Sequence, residues 1–220
     1  TRLYAPAIFS LLLDPYADHV GVKEQTKWAG VDHAVLYAVY TWKTSGWLAN
    51  EQLDAMLADP RNGAWAWGFA SVDFFGDWEH DSTRRLAALS SFFEDPSKRE
   101  RFIGIKLAHA HQAVAFDDAR FVGVYDVAAR HGVPVLLHTG LSPFPNSKTE
   151  PAFCDPEGLE QVVLQHDGAH GQGRVDFVLS HVGQGDARSV AHALDLAEHH
   201  DNVYLEISAL GRPLLVDDDA

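Results

Sequence analysis

Cysteine is almost missing from this chain: Cys154 stands alone among 220 residues, so no intrachain disulfide can form and a reducing compartment suits it. Basic residues are also scarce, with 17 Lys and Arg against 31 Asp and Glu and a formal charge of -14. Such a surface has no basic patch for a phosphate backbone or an anionic bilayer, so neither nucleic acid nor membrane is an expected partner. No apolar run approaches the roughly 18 residues of a membrane helix, and Ile8 to Leu13 is too short for a signal peptide. The chain reads as soluble and cytoplasmic. Also lacking, after every candidate strand, is a G-x-G-x-x-G or G-x-x-x-x-G-K-[ST] loop, which removes the commonest nucleotide-binding arrangements.

What is present is the composition of a folded globular protein, 46% hydrophobic, 22% charged and 11% aromatic, long enough for one sizeable core and read as a single domain over residues 1–220. Apolar runs rich in Val, Ile, Phe and Trp begin near Val31, Trp65, Phe102, Val133, Val175 and Val203. They recur at intervals of about 30–40 residues, the length of a strand, a helix and two loops. Helices are expected over Phe116 to His131, stopping at Gly132, and over Asp186 to His200, where an acidic start and a histidine end complement the helix dipole. Strands such as Val-Pro-Val-Leu-Leu before His138 are apolar on both faces, as buried parallel strands are. Six βα units follow, and they fit either a closed barrel or an open doubly wound sheet. The polar residues that close the strands favour α/β of the (β/α)8 barrel type, in which chemistry sits at the carboxyl ends of the strands. The Pro-rich segment Leu141 to Pro156 would then be an active-site loop.

Position sorts the thirteen histidines. Nine lie at strand starts, in loops or in helices, where solvated or capping roles suffice. His109, His111, His138 and His181 lie at or just past strand ends. His138 and His181 each follow an apolar strand and precede a glycine two residues on, and adjacent parallel strands converge on one mouth. The bland alternative for each is a core histidine satisfied by a carbonyl. Lys106 lies inside the strand Phe-Ile-Gly-Ile-Lys-Leu, where an ammonium needs a carboxylate, a substrate anion or a metal-bound group, unless it snorkels outward. Glu206 shares its parity with Ser208 and could face the interior as a charge partner. His109 and His111 form an H-x-H, which on a strand would place both rings on one side. Their position past the strand favours substrate contact. Trp42, with Tyr40, Trp47, Phe144 and Phe153, could wall an aromatic pocket.

The motifs Gly-Ile-Lys-Leu (104 to 107), Val-Pro-Val-Leu-Leu-His-Thr-Gly (133 to 140), Phe-Val-Leu-Ser-His-Val-Gly (177 to 183) and Asn-Val-Tyr-Leu-Glu-Ile-Ser (202 to 208) together resemble the amidohydrolase-related family of metal-dependent TIM-barrel hydrolases and decarboxylases. The resemblance spans roughly Gly30 to Leu210 and implies a divalent metal, zinc first, with His138 as its fifth-strand ligand. It implies His181 as the proton-transferring residue beside the metal, and Lys106 as a fourth-strand lysine serving substrate or pocket electrostatics. Metal-activated water attacking an amide, ester or lactone carbonyl of a small molecule is the first reaction expected. Decarboxylation, hydration, or a catalytically inactive binding barrel are the alternatives. A homo-oligomer is compatible with all of them. The family's first-strand H-x-H and eighth-strand aspartate have no counterpart in these 220 residues, so the expectation is an incomplete barrel that by itself binds metal poorly and has no substantial activity. Leu3 to Leu13 is apolar enough to fold over the resulting gap.

Overall fold

The computed structural model describes residues 19–208 except 63 and 171; the segment Leu3 to Leu13 lies outside them. Helix α1 (His19–Trp28) leads into β1 (Ala34–Tyr37), then a hairpin of β2 (Val39–Thr41) and β3 (Gly46–Leu48), and α2 (Asn50–Ala58). Next come β4 (Ala66–Ala70), α3 (Trp78–Glu94), α4 (Pro96–Arg99), β5 (Phe102–Leu107), α5 (His109–Gln112), α6 (Val122–His131) and β6 (Val135–His138). The chain continues through α7 (Pro151–Cys154), α8 (Glu160–Gln165), β7 (Phe177–Ser180), α9 (Ala187–His199) and β8 (Val203–Glu206). No helix among the described residues is long and apolar enough to cross a membrane.

Six strands form one parallel sheet in the order β1-β4-β5-β6-β7-β8, flanked by helices in the manner of a partial TIM barrel. Each strand lies at an apolar run singled out in the sequence. Among the described residues β1 and β8 each pair on one side only, so the sheet stays open.

Alternation along the strands divides it into two faces. Ile105, Val135, Phe177 and Val203 form one matched row, and Leu107, Leu137, Leu179 and Leu205 form another. These rows face the helices: Phe177 meets Tyr125 of α6 at 5.4 Å, and every member but Leu205 is buried. Burying a side chain of this size stabilises by about 1.5–3 kcal/mol, so these rows hold the sheet to its helical layer. The residues between them face the other way. Lys106 is level with Leu136, Val178 and Tyr204, and two residues further along His138 is level with Ser180 and Glu206. The face opposite the helices therefore collects the polar side chains.

One expectation needs correction and another holds with a difference in burial. The helix expected from Phe116 begins at Val122, after a 3-10 turn over Ala119–Phe121. Asp118 caps that turn by accepting from the Arg120 amide at 2.9 Å, which competes with an earlier helical start, while Gly132 ends α6 with φ +62° as expected. His166, read as solvated or capping, is indeed a helix cap, though a buried one: it is 2% exposed and donates from Nδ1 to the Val162 carbonyl at 2.8 Å.

Candidate active site at the carboxyl ends of the strands

The last residue of β6 is His138. It is buried, and its Nε2 finds no hydrogen-bond partner among the described residues. Burial, chiefly, and then the nearby Lys106 hold its pKa well below the ordinary range, so the ring is neutral and one of its two nitrogens carries a lone pair. A buried polar nitrogen left without a partner normally costs about 1–3 kcal/mol. The donor set here, a neutral imidazole with an orphaned nitrogen, fits a divalent cation.

His181 follows β7 immediately. It and Val182 adopt left-handed backbone, with φ +69° and +49°; for β-branched Val182 this is a strained conformation of the kind that clusters at functional positions. The turn carries the His181 ring to 5.1 Å from that of His138. His181 Nδ1 donates to the Ser208 carbonyl at 3.1 Å and lies 3.0 Å from Ser208 Oγ. A carbonyl can only accept, so the proton sits on Nδ1 and Nε2 is left as the basic nitrogen. Glu206 stands behind this pair: its carboxylate accepts from the Ser208 amide at 2.6 Å and hydroxyl at 2.8 Å, and lies 3.8 Å from His181 Nδ1. Burial lowers the pKa of His181, partly offset by its bond to Ser208.

Lys106 is 7% exposed. Its ammonium meets no carboxylate within ion-pair distance among the described residues; it donates to Ser180 Oγ at 3.0 Å and lies 5.6 Å above the Tyr37 ring. Burial pushes its pKa down to about 7, against the opposing attraction of Glu206. Ser180 and Tyr37 were not singled out in the sequence. The signal for Ser180 is register, since it is level with His138 on the neighbouring strand.

The H-x-H pair does not act as one unit. His109 and His111 sit on α5, a single helical turn, where a spacing of two rotates side chains by about 200° instead of bringing them to one side. His109 turns into the core. Fully buried, it packs against Phe116 at 4.1 Å and Phe121 at 4.4 Å and donates from Nδ1 to the Val114 carbonyl at 3.1 Å. Burial pushes its pKa down to about 3, and as it stands nothing dissolved can reach it. His111 turns toward the site, 5.0 Å from the His138 ring and 5.9 Å from that of Phe144. Trp42, half exposed in the β2–β3 hairpin, lies tilted against Trp47 at 4.7 Å and donates to Asp73 at 3.2 Å, contacts that involve none of the site histidines.

The family profile described as amidohydrolase matches residues 22–219. The chain belongs to the amidohydrolase family. No curated protein matches it. Solved structures similar to this amidohydrolase include a probable 2-pyrone-4,6-dicarboxylic acid hydrolase from Acinetobacter baumannii with citric acid bound, at TM-score 0.48 and 13% identity, covering 83% of this chain and 57% of that one. A 2,6-dihydroxybenzoate decarboxylase complexed with 2,6-dihydroxybenzoate gives TM-score 0.38 and 16% identity over 62% of this chain and 44% of its own. A 2,6-dihydroxybenzoate decarboxylase from Rhizobium gives TM-score 0.37 and 15% identity, over 61% and 45%. The chain thus spans about half the length of these proteins.

Among the described residues of this amidohydrolase, one group of three potential metal donors lies outside the histidine cluster. Asp155, Glu157 and His192 bring ligand atoms within 4.8 Å of one another, but Arg188 already ion-pairs with both carboxylates and His192 Nδ1 bonds Asp155 at 2.7 Å. Arg188 and His192 of α9 thus hold Asp155 and Glu157, and the arrangement clamps α9 to the turn after α7. Cys154 beside it is buried, donates to the Lys148 carbonyl at 2.9 Å, and has its thiol pushed up to about 11 by burial, as befits an inert thiol.

Proposed function

We propose that this amidohydrolase is a metal-dependent hydrolase acting on an amide, ester or lactone carbonyl of a small molecule, with His138 as a ligand of the ion and His181 as the proton-transferring base. The supporting observation is the pairing of an orphaned, buried Nε2 on His138 with a neighbouring imidazole whose tautomer is fixed by Ser208. Imidazole donors suit zinc among the common divalent ions. When bound, the ion supplies Lewis acidity toward a carbonyl and toward water.

The chain's own residues do the rest. His181 takes a proton at Nε2 and holds the resulting charge against Glu206, whose carboxylate stands on the Nδ1 side. Lys106, a cation on the open face, attracts and orients negative charge as it develops on the substrate. Trp42, Glu206 and His111 are assigned to substrate contact, a role supported for His111 by its place beside His138 and the Phe144 ring. A cytoplasmic location agrees with a single cysteine that is buried and unpaired.

The test uses the full-length protein, assayed against a panel of small lactones, esters and amides with and without chelator. His138→Ala should lower metal stoichiometry and abolish turnover with it. His181→Ala should leave metal content near the parent value while turnover falls about 10²–10⁴-fold, the usual contribution of a positioned acid–base group. Full activity in both variants would sink the assignment.

A further inference from the structure

The assignment of His138 to a divalent ion leaves open which side chain shares that ion, and the following inference rests on that assignment. His111 is buried, 8% exposed, and its Nδ1 lies 2.8 Å from Thr44 Oγ1 in the turn between β2 and β3. That hydroxyl has a second neighbour, the Thr41 carbonyl at 3.2 Å, which can only accept. Thr44 therefore gives its proton to Thr41 and accepts from His111 Nδ1–H. The consequence is a ring with its proton fixed on the far nitrogen and its Nε2 lone pair uncommitted, since Nε2 makes no hydrogen bond among the described residues. This is the arrangement by which outer groups orient metal-ligating histidines.

The distance between the two rings agrees. With metal–nitrogen bonds of about 2.0–2.1 Å and a tetrahedral angle, two imidazoles on one ion have centroids about 5.2 Å apart; those of His111 and His138 are 5.0 Å apart, in an edge-to-face arrangement. His138 contributes the buried orphan Nε2 on that side.

We propose that His111 is a ligand of the same divalent ion as His138 and that Thr44 is its positioning residue, so that the hairpin after β1 contributes to the metal centre across a sequence separation of 67 residues. The donors then come from the end of β6 and the turn after β5, two adjacent strands.

The experiment is Co²⁺ titration of the metal-stripped protein, read by visible absorption and by bound-metal content, for the parent, His138→Ala, His111→Ala and Thr44→Val. His111→Ala should weaken Co²⁺ binding by tenfold or more, and Thr44→Val by about 10–100-fold, as is usual for the loss of an orienting partner. If His138→Ala binds like the parent, or the parent binds no Co²⁺, the assignment of His138 fails and this inference with it. If His138→Ala weakens binding but His111→Ala does not, this inference alone is overturned. A measurement on protein without a substitution in the site histidines covers the case in which His111→Ala does not fold. Proton NMR of the Co²⁺ form should show at least two exchangeable, hyperfine-shifted Nδ1–H signals, one of which exchanges faster in Thr44→Val; a single signal, or two unaffected by Thr44→Val, overturns the inference.

Discussion

Replacing Lys106 with methionine is expected to stabilise the metal-free protein below pH 7 while removing the cation that the proposed hydrolysis uses. The ammonium is buried against a hydroxyl and an aromatic ring, with no carboxylate in ion-pair contact among the described residues, and its pKa stands at about 7 against an ordinary 10.5. The sign follows from proton counting. Below pH 7 both folded and unfolded chains carry the proton, so the full penalty of burying the charge is present. Between pH 7 and 10.5 the unfolded chain keeps a proton that the folded one has released, so stability rises with pH across that window. A difference of that size corresponds to roughly 4–5 kcal/mol as an upper bound. Methionine has similar length and no charge to desolvate, but it gives up the bond to Ser180, so a net gain of about 1–3 kcal/mol is expected at pH 6. The gain should shrink toward pH 10. Urea unfolding in the presence of chelator, run at pH 6 and pH 9.5 on parent and variant, measures it. Parallel stability–pH curves for the two proteins would contradict the burial of an unpaired charge. A lysine retained at this cost to stability is consistent with a role on the substrate side, where stability is commonly exchanged for function.

How much of this arrangement can be read from the sequence depends on the range of the interaction that creates each part. The six strands are legible because each is a short apolar run between turn residues, continuous where both faces are buried, as in Val135 to Leu137. His138 and His181 stand out for the same local reason, a polar ring ending an apolar strand. The hairpin of β2 and β3 was not foreseen, because its two strands have only three residues each and carry little periodicity. The different fates of His109 and His111 depend on whether residues 109–112 continue the strand or coil into a turn, and a four-residue helix has no periodic signature to decide it. Ser180 and Thr44 gain their meaning from partners 74 and 67 residues away, which no local pattern encodes. The clamp at Asp155 and His192 joins residues 37 apart, and the sequence offers only two unremarkable polar side chains.

The glycines of the His-Thr-Gly and His-Val-Gly motifs make the second large prediction, because they lock the two site histidines to each other. Gly140 has φ +79°, and a Cβ there would stand 2.3 Å from Gln184 N, Gln184 O and Gly183 C. All three are backbone atoms, so no side chain can swing aside. The contact is reinforced by Thr139, whose Oγ1 donates to the Ser180 carbonyl at 2.7 Å and accepts from the Gly183 amide at 2.9 Å, and by the Leu141 amide donating to the Gln184 carbonyl at 2.8 Å. The loop after His138 is thereby pressed against the strained turn that carries His181. Gly132 supplies the control: its φ is +62°, but a Cβ there meets nothing within 4 Å. Gly132→Ala should cost about 1 kcal/mol, the left-handed penalty alone. Gly140→Ala adds a clash that only main-chain displacement can relieve, and a loss of about 4 kcal/mol or more is expected, a large share of the 5–15 kcal/mol that holds most domains folded. Comparing the two variants by urea unfolding tests the claim, and equal losses would show that the His-Thr-Gly and His-Val-Gly turns are not in close contact. Where Gly140→Ala still folds, the displaced turn should move His181 away from His138 and lower turnover, whereas Gly132→Ala, at the far end of β6, should leave turnover unchanged.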